Sequence, residues 1–154
     1  MNKAGSMLIS IWTVLFGIFC IAVFLLAAKR HGWLLPKGVS VAIPQLPYLD
    51  KDETVRFYTS VLGFTILNDW DGYMLCKKDR VEVHLWKCDL PEIPKNTGCY
   101  LRVHKNIRAL YKIYEPHSIM HEHGKLEMKP WGMLQFTVVD NSGNLLHFGQ
   151  EGNV

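Results

Sequence analysis

The chain has 154 residues, which suits one domain and leaves little room for two. Its net charge of +3 is unevenly placed: Lys3, Lys29, Arg30 and Lys37 stand without an acid in the first 39 residues, and the rest is close to neutral. A near-neutral body argues against nucleic acid as a partner, because a nucleic-acid face normally raises the charge of the whole domain. Cys20, Cys76, Cys88 and Cys99 show no CxxC spacing, so free thiols are expected rather than a disulfide framework or a cysteine metal site.

The first expected element is apolar. Met7 to Ala28 contains no charged residue; as a helix it would be about 33 Å long, enough to cross a bilayer. Lys29, Arg30 and Lys37 follow it, and retention of positive charge on the inner side predicts a single-pass anchor with the remainder in the cytoplasm. The alternative is a leader added by an upstream start codon, which would leave a cytoplasmic protein. Residues 1–39 are therefore read as anchor and linker, and 40–154 as the folded domain.

Val41 to Tyr48 reads as a strand interrupted by Pro44 and Pro47. Proline lacks a backbone donor, which places this strand at a sheet edge or exchanges it between chains. Asp50 is an N-cap with Glu53 three residues on. The following helix, to Leu62, puts Val55, Tyr58 and Leu62 on one face and ends at Gly63. Strands are expected near 64–69, 73–78 and 80–87. In the last, Val81, Val83 and Leu85 point one way and Glu82, His84 and Trp86 the other.

After a connector with Pro91 and Pro94, a second set begins. Cys99, Leu101 and Val103 alternate with Tyr100 and Arg102. Ile107, Leu110, Ile113 and Tyr114 mark a helix that Pro116 stops. A polar loop carries His117, His121 and His123, and exposed histidines are the expectation there. Strands near 125–129, 133–140 and 144–149 follow, the last two joined by the turn sequence Asp140-Asn141-Ser142-Gly143-Asn144. The order strand–helix–three strands thus occurs twice. GYMLCKKDRVEVHLW echoes GMLQFTVVDNSGNLLHFG, with His84 and His147 in matching places. The predicted class is α+β: paired βαβββ modules in a curved mixed sheet, each with a helix over its apolar face. The opposite faces can curl round a cleft that His84 and His147 approach from two sides.

Phe57-Tyr58 with Leu62-Gly63-Phe64, and Asp140 to Asn144 followed by Leu-Leu-His-Phe, resemble the vicinal-oxygen-chelate superfamily. Pro130-Trp131-Gly132-Met133 with Phe136, and Ala42-Ile43-Pro44-Gln45-Leu46, resemble its bleomycin resistance proteins. The resemblance implies a homodimer with clefts at the subunit boundary and an exchanged first strand. It also implies stoichiometric binding of a flat, drug-like molecule without turnover and without a cofactor. Trp131 matches a stacking ring by motif, and Tyr73 a second by position.

Alternation adds Trp86 and Tyr100 as rings on the cleft face, with His84, Arg102 and His147 as polar contacts. Arg102 and Glu82 share that face, so the ligand's charge stays open. The second reading is a metal-dependent lyase or dioxygenase of the same superfamily. Carried over by register, its ligand places are Ile43, His84, Gly98 and His147. Ile43 and Gly98 cannot coordinate through a side chain, which leaves His84 and His147 as weak candidates. No serine sits beside an evident base, and no phosphate-binding glycine loop is present.

Overall fold

The structure is a computed structural model that describes residues 3–30 and 38–152; within the first stretch, side chains are described from 14 to 27. The chain divides into two compact units, Met1–Val41 and Ala42–Val154.

The first unit contains helix α1, Lys3–Arg30. Among the described residues no helix is long and apolar enough to cross a membrane, and this corrects the expected span and the membrane placement built on it. Positions 7–13 and 28 of the expected span lie outside the described side chains.

The second unit holds two four-stranded sheets rather than one continuous sheet. The first combines β1 (Gln45–Tyr48), β2 (Thr65–Trp70), β3 (Tyr73–Lys78) and β4 (Val81–Lys87) in the order β1-β4-β3-β2. The second combines β5 (Gly98–Arg102), β6 (Glu127–Met128), β7 (Met133–Val139) and β8 (Leu145–Glu151) in the order β5-β8-β7-β6. Each is mixed in the same way: β1 runs parallel to β4 and β5 parallel to β8, and the other pairs are antiparallel. The internal repeat is thus a repeat of topology.

The proline-bearing β1 is an edge strand, pairing with β4 of its own chain. Helix α2 (Lys51–Arg56) starts where Asp50 accepts the Glu53 N–H at 2.8 Å. It continues as a π turn, Phe57–Val61, whose wider loop is closed by Leu62 N–H to the Phe57 carbonyl. Gly63, at φ +74°, then reverses the chain so that Phe64 N–H reaches the Tyr58 carbonyl. The connector contains a helical turn that the sequence reading missed, α3 (Glu92–Lys95). Helix α4 spans Ile107–Tyr114 and tightens to a 3-10 turn at Glu115–His117 around Pro116.

One hydrophobic core joins the two halves, contributed by alternate residues: Met74, Cys76, Val83 and Leu85 from the first sheet; Leu101, Phe136, Val138, Leu146 and Phe148 from the second. Tyr58 and Leu62 from the first helix and Ile107 and Tyr114 from the second fill the same core. Phe136 and Phe148 stack at 5.0 Å, and Tyr114 packs against both. Ile113, expected on the buried face of α4, is instead 59% exposed.

Polar bonds cross the same boundary. Tyr58 O–H donates to Asp140 Oδ2 at 2.9 Å and Tyr114 O–H to the Leu62 carbonyl at 2.9 Å. Beyond the Tyr58 bond, the Asp140–Asn144 turn reaches back to the first half three more times. Asn144 Nδ2 donates to the Pro47 carbonyl, Asn141 Nδ2 to Thr54 Oγ1, and Leu49 N–H to Ser142 Oγ.

Candidate functional site

Because the core takes one face of each sheet, the opposite faces are left for other work. In the first module β4 presents Glu82, His84 and Trp86 there, all half-buried, while Val83 and Leu85 are buried inside. Tyr73 lies in register with Trp86 on β3. Its hydroxyl meets His84 Nδ1 at 2.7 Å, and His84 Nε2 meets Glu82 Oε1 at 2.7 Å. The Glu82 carboxylate can only accept, so Nε2 donates to it, and the Tyr73 hydroxyl can serve Nδ1 as donor or acceptor. The arrangement holds the Tyr73 ring edge-on to the imidazole at 5.4 Å.

In the second module His147 occupies the matching place. Thr137 Oγ1 meets its Nδ1 at 2.8 Å, and Tyr100 stacks over it at 6.4 Å with the planes 28° apart. Tyr100 can lie across β8 because the next outward position is glycine. A Cβ on Gly149 would stand 1.8 Å from the Tyr100 hydroxyl oxygen. Two hydrogen-bonding atoms here have no protein partner among the described residues: His147 Nε2, and Oε1 of the buried Gln135, two residues before Thr137 on the same face of β7. Burial, then the charges of His121 and Lys129, hold the His147 imidazole below its ordinary pKa of 6.5, so it is neutral at pH 7.

His121 is half-buried rather than exposed, because residues 119–124 dock along β7. Met120 bridges Val138, and the His121 and Val139 amides close bonds with Thr137 and Ile119 carbonyls. His117 and His123 are exposed as expected. No hydrogen bond or ring contact links the His84 set to the His147 set among the described residues.

Trp131 projects from the β6–β7 turn and is 64% exposed. The turn is closed by Gly132 N–H to the Lys129 carbonyl, with Pro130 at its second position and Gly132 at φ +81°; this proline–glycine spacing holds the indole at a hairpin tip. Trp70, overlooked in the sequence, stands at the end of β2 opposite Tyr73 and is also half-exposed. The Trp-Asp-Gly-Tyr turn was the available signal. Arg102 is exposed and paired with Glu151 at 2.5 Å, so its charge is offset by a carboxylate.

The register corrects the carried-over metal positions. His84 sits beside Gln45 and His147 beside Tyr100, not beside Ile43 and Gly98. A Cβ at Gly98 would come within 2.6 Å of the Leu145 carbonyl oxygen, so that place admits no larger residue without movement. Both nitrogens of His84 are engaged, and among the described residues no three His, Cys, Asp or Glu side chains gather as a metal cage requires. These residues do not fit the metal of the superfamily's enzymes. Cys76 and Cys99 are no better suited, since burial pushes both thiols up to about 12.

Known proteins share this fold. The bleomycin resistance protein of Geobacillus stearothermophilus is 29% identical, covering 71% of this chain and 96% of that protein. A bleomycin-binding protein solved in complex with bleomycin superposes with a TM-score of 0.63 at 25% identity, covering 73% of this chain and 99% of the other. The bleomycin-binding protein of Streptomyces verticillus, solved with copper(II)-bleomycin, gives a TM-score of 0.64 at 20% identity, covering 77% and 100%. Residues 41–148 match the family profile itself, and the chain belongs to the Glyoxalase/Bleomycin resistance protein/Dioxygenase superfamily.

Proposed function

We propose that this protein binds and sequesters a planar aromatic small molecule of the bleomycin type, without chemical turnover, in clefts completed by a second copy of the chain. The observation that carries this reading is the state of the outer sheet faces. They hold oriented rings and imidazoles, and His147 Nε2 and Gln135 Oε1 offer hydrogen bonds that nothing in the described chain takes up. Buried polar atoms are rarely left unpaired, so an orphaned carbonyl on such a face favours a donor from outside. The names of the relatives supply the ligand class.

In this reading Trp131, Tyr73 and Trp86 stack on the flat part of the ligand. His84, Tyr100, Arg102 and His147 supply polar contacts. A ring pair adds about 0.5–1.5 kcal/mol to the apolar area it buries. The two faces form separate sets within one chain, which is why a second copy is invoked, with β1 available for exchange from its edge position.

Calorimetry with metal-free and copper-loaded bleomycin tests the ligand, and light scattering after size exclusion tests the dimer. Saturable heat at micromolar concentration with one ligand per chain is expected. Absence of heat, or a monomer that binds at full affinity, refutes the corresponding part.

A further inference from the structure

A cavity lies elsewhere in the same unit. It has a volume of about 520 Å³ and opens between the β3–β4 turn of the first module and β5 and α4 of the second. Its inner wall is apolar, formed by Phe64, Val81, Leu101, Leu110 and Phe148. Phe64, Leu101 and Phe148 belong to the buried core, so the wall is fixed. The exposed Ile113 extends it outward along α4.

The mouth is basic. Lys78, Arg80, Arg102 and Lys105 line the cavity, and Asp79 is the single acid among its lining residues. Two of these cations are already engaged: Lys78 turns inward to the Leu62 carbonyl and the Tyr114 hydroxyl, and Arg102 pairs with Glu151. Arg80 and Lys105 form no ion pair among the described residues. They flank the opening from opposite modules. The first turn of α4, beginning beside Lys105, carries no acid to cancel them.

An apolar recess of this size beside two cations that form no ion pair among the described residues matches a molecule with an apolar body and one anionic end. We infer that this inter-module cavity is a second binding site, distinct from the outer-face cleft, for an amphipathic organic anion such as an aliphatic or aryl carboxylate. The apolar body would rest on Phe64, Leu101 and Phe148, and the carboxylate would meet Arg80 and Lys105. Of the residues proposed for antibiotic binding it shares only Arg102, which is paired with Glu151, and it uses none of the stacking rings.

The test is titration of the full chain with decanoate, kept below its micelle concentration, by calorimetry and by amide chemical shifts. Saturable one-to-one binding is expected, with shifts at Ala109, Leu110 and Val81. Uncharged decanamide should bind at least tenfold more weakly. R80E/K105E should weaken decanoate at least tenfold while leaving bleomycin affinity within twofold; should the charge reversal disturb folding by circular dichroism, R80Q/K105Q makes the same comparison. No saturable binding by the wild type, equal affinity for decanamide, unchanged affinity in the charge variants, or shifts centred on Trp131 and His147 would each overturn the inference.

Discussion

Single side chains set what the outer faces can do, and His147 shows the logic most directly. Its imidazole is held neutral by burial, helped by His121 and Lys129. The folded state therefore carries fewer protons than the unfolded chain in the window below pH 6.5, the ordinary value. Stability from this source is complete above pH 6.5 and is lost as pH falls toward the lower folded value. Urea unfolding between pH 7.5 and 5 should show that loss, and His147→Gln should flatten it. Trp131 is the converse case. It is largely exposed at a turn, so Trp131→Ala should change stability by no more than about 0.5 kcal/mol. The same change should weaken bleomycin binding by about tenfold or more, as expected when a stacking ring is removed. Gly149 separates packing from chemistry: Gly149→Ala must push Tyr100 off His147, and loss of the Tyr100–His147 ring-current shift in the NMR spectrum would report it.

At the level of elements, the sequence revealed more of the pattern than of the partners. Alternation along 80–87 and 98–103 assigned inward and outward residues correctly, because a strand with one face on a core has a period of two. The Asp50 cap and Gly63 stop delimited the first helix. What alternation cannot contain is register between strands distant in the chain. That is why Ile43 and Gly98 stood where Gln45 and Tyr100 belong. Nor could a polar loop announce that it would dock on β7 and carry His121 toward His147. The apolar leader was legible as a helix, while the span inferred from its hydropathy did not hold. The most informative element to disturb is the Asp140–Asn144 turn. Asp140 accepts from the Ser142, Gly143 and Asn144 amides at 2.8–2.9 Å as well as from Tyr58 and the Asn144 side chain. Asp140→Ala strands several buried donors at once and should cost about 3 kcal/mol or more in urea unfolding.

Across the molecule, one interior serves both repeats. The repeat resembles two small domains on paper, yet each half contributes rings and aliphatic side chains to a shared core. Outer faces and interior are thereby kept apart, so outer-face residues can vary without reaching the packing. Chemical denaturation followed by tryptophan fluorescence and by far-ultraviolet dichroism should give coincident single transitions. Separate midpoints would mean that the halves fold independently.

The bonds from the Asp140–Asn144 turn to Pro47, Thr54 and Tyr58 carry that point to the bench. If the gene is split in the 89–96 connector, neither fragment is a finished object: one loses the acceptor for a phenol, the other the mates of its amides. The two pieces should stay poorly ordered when made alone and reassemble when made together, behaving as a self-complementing reporter pair.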